Sequence, residues 1–261
     1  MPDFKDPTEI WNDLVKVGVA KTKLKVNKLI VLAVMAGIFI AIGSALFTAV
    51  TQDILLGESI GMISLVGGIV FSVGLMMVVF AGSELFTGNN LIVISALAKK
   101  STWRGLLKNW VWVFIGNFIG SLIMVFIMYH SGLVTGAVAE RAIAIAQSKI
   151  SLTWIEALMR GVLCNFLVVL AIAFASGEVD EISGKIFGIL FPIMAFVALG
   201  YEHSVANMYF VPMGIFLDGG ISWGAFFIKN LIPVTIGNII GGSIFVSAVY
   251  WYVYVKKGGK K

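Results

Sequence analysis

The sequence predicts an all-α membrane protein: six transmembrane helices arranged as two inverted three-helix repeats, with helices 2 and 5 interrupted. Three observations predict it. The 261 residues are 59% hydrophobic and only 13% charged, with a mean hydropathy of +0.98, far above what a water-soluble domain of this length needs. Six apolar runs cover 29–51, 61–98, 109–129, 155–176, 186–217 and 231–255, and roughly 20 helical residues cross a bilayer core. Finally, two of those runs share a motif and are too long for one crossing.

Taken in order, residues 1–28 are charged and place Ile10, Trp11, Leu14, Val15 and Gly18 on one helical face. They read as an amphipathic helix that either lies on the cytoplasmic interface or packs on the bundle. No small-residue cleavage site with a short apolar core precedes the first run, so no signal peptide is expected. As unbroken helices, 61–98 and 186–217 would extend about 57 and 48 Å at 1.5 Å per residue, so each must break or turn. Residues 130–154 read as an outer connection. The whole chain is expected to be one transmembrane domain, 1–261, with repeats at about 29–129 and 155–255.

The break points follow from the motif. GSELFTGN at 82–89 and GYEHSVAN at 200–207 both read G-x-E-x-x-x-[G/A]-N, 118 residues apart. Downstream, KNWVWVFIGNFIG at 108–120 matches KNLIPVTIGNIIG at 229–241, 121 apart. Two matches in the same order point to an internal duplication. Three crossings per copy send the second copy into the membrane from the opposite face, and folds of that kind build their binding site where interrupted helices meet near the midplane. The G-x-x-x-G spacing in the second match lets helices approach closely, and Asn117 and Asn238 within it read as helix-packing residues ahead of pore lining.

Charge sets topology. With the N-terminus inside, 15 of the 19 Lys and Arg residues fall on inner segments, leaving Arg141, Lys149, Arg160 and Lys229 outside. The positive-inside rule then puts both termini in the cytoplasm, so the +5 net charge is a topology signal and not a nucleic-acid footprint. The lone cysteine, Cys164, excludes an intramolecular disulfide and a cysteine metal site and reads as packing. GESIG at 57–61 fits the nucleophile-elbow pattern but has no strand before it, and no zinc-protease or phosphate-loop motif occurs. No enzyme, metal or cofactor is expected.

Candidate site residues lie in the breaks. His203 is one of two histidines, the other, His130, ending a span. A histidine in a repeat-related break can donate to an anion or exchange a proton near neutral pH. Thr87 offers a hydroxyl in the matching break. Glu84 and Glu202 would repel an anion and are expected to accept from backbone N–H groups that the broken helices leave free; Asn89, Asn207, Gly82 and Gly200 are expected to serve the breaks too. Lys149 is either a snorkelling lysine or a functional cation. Asn165 reads as helix glue or a lining donor.

FAGSELFTGN at 80–89, GVLCNFLVVLA at 161–171 and GYEHSVANMYFVPMGI at 200–215 together resemble the formate/nitrite transporter family of pentameric channels for small monovalent anions, most closely its hydrosulfide-channel branch. The resemblance covers essentially the whole chain. It implies an aquaporin-like plan in a plasma membrane, with one pore per protomer. It implies His203 and Thr87 at the pore centre with Lys149 and Asn165 nearby, and apolar constrictions at Phe71, Leu75, Leu85, Phe86, Val168 and Phe196. It makes hydrosulfide the expected anion, with formate or nitrite also carried, and proton-coupled symport of formate, nitrite or lactate the alternative. The histidine would compensate the anion's charge or donate a proton.

Overall fold

A computed structural model describes residues 4–52, 59–178 and 181–256. Lys257, Lys260 and Lys261 of the predicted inner tail, and Gly57 and Glu58 of GESIG, lie outside the described residues. Among those described, the chain is helical, with a single β-bridge between Phe4 and Glu178. The helices are α1 (Pro7–Lys23), α2 (Val26–Val50), α3 (Ile60–Phe80), α4 (Phe86–Leu97), α5 (Trp103–His130), α6 (Gly136–Ser151), α7 (Trp154–Gly177), α8 (Ile182–Ala198), α9 (Ser204–Phe216) and α10 (Trp223–Val255).

Five of them, α2, α3, α5, α7 and α10, are long and apolar enough to cross a membrane. The two runs too long for one crossing, 61–98 and 186–217, divide where the motif required it: α3 gives way to α4 across residues 81–85, and α8 to α9 across 199–203. Each first helix ends on a left-handed glycine, Gly82 at φ 67° and Gly200 at φ 70°. There the next N–H reaches back to the last turn, Ser83 to the Val78 carbonyl at 2.9 Å and Tyr201 to the Phe196 carbonyl at 3.0 Å. This closure satisfies carbonyls that a helix end would otherwise leave bare, and glycine alone adopts that φ without a Cβ penalty.

The same arrangement occurs twice. α2 packs on α3 and α5, and α7 packs on α8 and α10. The glycine pairs set the close approach: a Cβ on Gly120 would strike the Val34 carbonyl oxygen of α2, and one on Gly241 the Val162 carbonyl oxygen of α7. Small residues at such contacts let backbones pack without a hydrophobic drive between helices. α3 and α8 cross where the halves meet, Gly68 lying against Met194.

Two segments add to the sequence reading. The 130–154 connection contains a 16-residue helix, α6, whose Ala142, Ile145 and Ala146 are buried. For α1, the buried face is Ile10, Trp11, Leu14, Val15 and Gly18, as predicted, but it packs on protein. Trp11 stacks on Tyr250 of α10 at 4.3 Å, and Gly18 lies against Ser95 of α4. Of the two alternatives left open, the structure selects packing on the bundle.

Candidate functional site

The two breaks meet through their side chains. His203 caps α9, its Nδ1 accepting from the Ala206 N–H at 3.0 Å, while its Nε2 lies 2.8 Å from Thr87 Oγ1 in the first turn of α4. A backbone N–H can only donate, so in the neutral ring the proton sits on Nε2 and points at the Thr87 oxygen. His203 is 3% exposed and Thr87 fully buried. Asn165 of α7 holds the Thr87 side of the pair. Its Nδ2 faces the Thr87 carbonyl at 3.2 Å, Asn90 Oδ1 at 2.9 Å and the Asn238 carbonyl at 2.7 Å, and its Oδ1 has no donor among the described residues.

The glutamates do something other than expected. Among the described residues, Glu84 and Glu202 accept no backbone N–H. Glu202 takes Lys149 Nζ at 2.9 Å on one oxygen, and Asn207 Nδ2 at 2.6 Å and Asn230 Nδ2 at 3.3 Å on the other. Glu84 takes Lys21 Nζ at 2.7 Å and Asn89 Nδ2 at 2.6 Å. In both halves a further asparagine closes the set: Asn109 accepts from Asn89 and donates to the Lys21 carbonyl, and Asn230 accepts from Asn207 and donates to the Lys149 carbonyl. A buried carboxylate costs several kcal/mol unless a cation and hydrogen bonds compensate it, and here all of them are supplied. Lys149 is therefore an ion-paired lysine, 13% exposed at its side chain, and not a snorkelling one; Phe210 covers its ammonium at 5.3 Å.

The freed backbone groups go to asparagines that the sequence reading had given to packing. Asn117 Oδ1 accepts the Phe86 N–H at 2.8 Å, and its Nδ2 donates to the carbonyls of Ala33 and Glu84 at 2.7 and 2.9 Å. Asn238 does the same one half later, with the Ser204 N–H at 2.9 Å and the carbonyls of Gly161 and Glu202 at 2.8 and 2.9 Å. The G-x-x-x-G glycines do the packing; the asparagines between them pin the breaks. Lys21, an inner-side charge by sequence, is also a break residue through its pair with Glu84.

Two cavities approach this pair. One, of about 190 Å³, is lined by Phe71, Phe196, His203, Glu202, Lys149 and residues of α6. The other, of about 320 Å³, is lined by Lys21, Glu84, Gly82, Ser83, Asn89 and residues of α1. Phe196 lies against Phe71 edge to face at 5.7 Å and stacks on the His203 ring at 5.9 Å, so the three rings line the inner end of the first cavity together. Leu75, Leu85 and Val168 are buried in the core and line neither cavity. Phe86 is buried against Trp110 and Phe114 of α5, at 6.1 and 5.0 Å. Cys164 is fully buried in the core, and His130 is exposed at the end of α5.

Fold and site together define a multi-pass helical membrane protein in which two helix breaks enclose a histidine and a threonine. Its kinship is equally plain. The chain belongs to the formate/nitrite transporter family, whose model, described as "Formate/nitrite transporter", matches residues 8–252. It is 44% identical to the "Probable formate transporter" of Methanothermobacter thermautotrophicus, over 97% of this chain and 98% of that one. Among solved structures, it superposes on a "Pentameric formate channel with formate bound" with a TM-score of 0.78 and 35% identity, covering 88% of this chain and 98% of that one. It superposes on an "FNT family ion channel" with a TM-score of 0.86 and 28% identity, covering 94% and 99%. The family is one of transporters and channels, not enzymes.

Proposed function

We propose that this chain is a pentameric channel for small monovalent anions, with one pore in each protomer passing the His203–Thr87 pair. The whole chain is then a single channel domain of six crossings, in which α3 with α4 and α8 with α9 are the interrupted crossings two and five. The halves run in opposite directions across a plasma membrane, with both termini cytoplasmic. Formate is the first candidate, because the similar transporter and the solved pentamer are named for it. Hydrosulfide and nitrite are the other members of the series, and proton-coupled symport is the rival mode.

One observation carries the reading: the 2.8 Å contact between His203 and Thr87 joins the two breaks in a buried setting. An anion between apolar constrictions loses its water, and the cost is high unless donors replace it. When an anion takes the place of Thr87 as acceptor, His203 Nε2–H donates to it, and the Thr87 hydroxyl is released to donate as well. Two donors then face one anion. Phe71 and Phe196 form the constriction on the α6 side; Leu75, Leu85, Phe86 and Val168 form the constriction toward α1. The neutral ring supplies a hydrogen bond directly. Full proton transfer needs a second ring proton on Nδ1, which must displace the Ala206 N–H.

Flux of formate, nitrite, lactate and hydrosulfide into liposomes, across external pH, ranks the substrates and separates channel from symport. The decisive variant is His203→Asn, since asparagine still caps a helix but cannot reach Thr87. Anion flux should fall and lose its pH dependence. Unchanged flux and pH dependence in a folded variant would falsify the role given to His203.

A further inference from the structure

The α6-side cavity carries more positive charge than the ion pair accounts for. Lys149 and Glu202 balance each other, yet Arg141 of α6 and Arg160 of α7 line the same cavity. Neither guanidinium has a carboxylate within 4 Å among the described residues. Arg141 Nε donates only to the Thr51 hydroxyl at 3.1 Å. The nearest acidic neighbour of Arg160 along its helix is Glu156, which does not line the cavity; its carboxylate is held by the Thr153 N–H and hydroxyl at 2.8 and 2.7 Å and attracts Arg160 without forming an ion pair. The α1-side cavity has no such surplus among the described residues, because Lys21 faces Glu84 and no other charged residue of them lines it.

The duplicated anchor gives the comparison a register. Lys21 and Lys149 are 128 residues apart. So are the Leu32 and Arg160 carbonyls that receive the Glu84 and Glu202 N–H groups. At that spacing Asp13 stands opposite Arg141 and Leu32 opposite Arg160. Asp13 is itself held by Lys5 and Lys16 at 3.0 and 2.7 Å. The two arginines are thus an addition to one mouth of a scaffold that is otherwise repeated.

We infer that Arg141 and Arg160 form a capture site for small monovalent anions in the α6-side vestibule, ahead of the Phe71–Phe196 constriction. A guanidinium keeps its charge at any working pH and presents a fork of donors to an anion. A cleft lined by one sign of charge raises the local concentration of the opposite ion, by about 10-fold or more at low salt. The inference rests on the anion-channel reading and adds a direction to it: capture is stronger from the α6 side than from the α1 side.

The experiment uses the full-length protein in oriented liposomes with formate as the probe. Arg141→Gln/Arg160→Gln should raise the formate concentration at half-maximal flux from the α6 side by about 10-fold at low ionic strength, leave the saturated flux near wild type, and lose its effect in high salt, where exposed charges are screened. Arg141→Lys/Arg160→Lys should restore capture and shows that the Gln pair fails for lack of charge, not of fold. A second readout does not depend on conduction: chloride-35 line broadening by the protein in detergent should be reduced in the Gln pair and retained in His203→Asn. Unchanged half-saturation together with unchanged broadening overturns the capture site. A wild type that broadens chloride through the arginines but passes no anion overturns the channel reading alone.

Discussion

Asn238→Ala tests whether the breaks are held by asparagine side chains or merely by packing. The side chain makes three hydrogen bonds to backbone: it accepts from the Ser204 N–H and donates to the Gly161 and Glu202 carbonyls, all within 2.9 Å and all buried. Truncation leaves the Ser204 N–H and the Glu202 carbonyl without partners, while the Gly161 carbonyl keeps its bond inside α7. Each orphan costs about 1–3 kcal/mol when no water can reach it, so the loss is about 2 kcal/mol at the low end. For a chain of this size about 2 kcal/mol lowers the melting temperature by about 4–8 °C. The assay is the melting transition of the purified protein in detergent, followed by size exclusion. Asn117→Ala removes the matching three bonds in the first half and should cost a similar amount. A drop of a degree or less in both variants would show that the backbone at the breaks finds other partners, and the argument that these residues specify the bends would be wrong.

Four further outcomes follow from the same contacts. Lys149→Met strands the Glu202 carboxylate, 4% exposed, and should destabilise by about 3–5 kcal/mol; adding Glu202→Gln should recover most of that in the same melting assay, and no recovery would exclude the ion pair as the cause. Lys149→Glu sets two carboxylates side by side in the α6-side vestibule and should slow formate uptake from that face in stopped-flow liposome assays; an unaltered rate would refute this. Gly241→Ala drives a methyl into the Val162 carbonyl and should lower the melting temperature, at about 1–3 kcal/mol for overpacking, whereas Gly61→Ala, with open space around it, should be neutral or slightly stabilising. Hydrogen bonds from Lys16 and then Lys5 hold the Asp13 carboxyl below its ordinary range. A depressed folded pKa means that its contribution to anchoring α1 is present above the unfolded value and lost as pH falls through the folded one. Hydrogen exchange of α1 should therefore be faster in Asp13→Asn than in wild type near pH 6, with the difference vanishing in acid; a difference that persists there would count against the linkage.

Much of this architecture could be read from residue order, and the reasons are local. Gly82 and Gly200 announce left-handed turns because few other residues accept that φ, and the glutamate two positions later marks the same break in each half. The buried face of α1 follows from 3.6-residue periodicity. What escaped was set by contacts across the sequence. A carboxylate in a break needs compensation, but whether it comes from a backbone N–H or from a lysine 63 or 53 residues away depends on where α1 and α6 dock. The Lys21–Lys149 correspondence was hidden by its spacing of 128, since the motifs compared were 118 and 121 apart and the intervening loops differ in length. The α6 helix is faint in the sequence because its apolar residues are mostly alanines, interleaved with Glu140, Arg141, Gln147 and Lys149. Asn117 and Asn238 sit among close-packing glycines, so their position suggested packing, while their hydrogen-bonding capacity was the better guide.

The lysine–glutamate–asparagine–asparagine anchor is present twice, but the groups proposed to meet the anion are present once. At the 118-residue spacing of the breaks, His203 corresponds to Leu85 and Thr87 to Val205. Each half thus carries one member of the donor pair and a hydrocarbon where the other half has its partner. Exchanging the four side chains, Leu85→His with His203→Leu and Thr87→Val with Val205→Thr, would rebuild the same pair facing the other way.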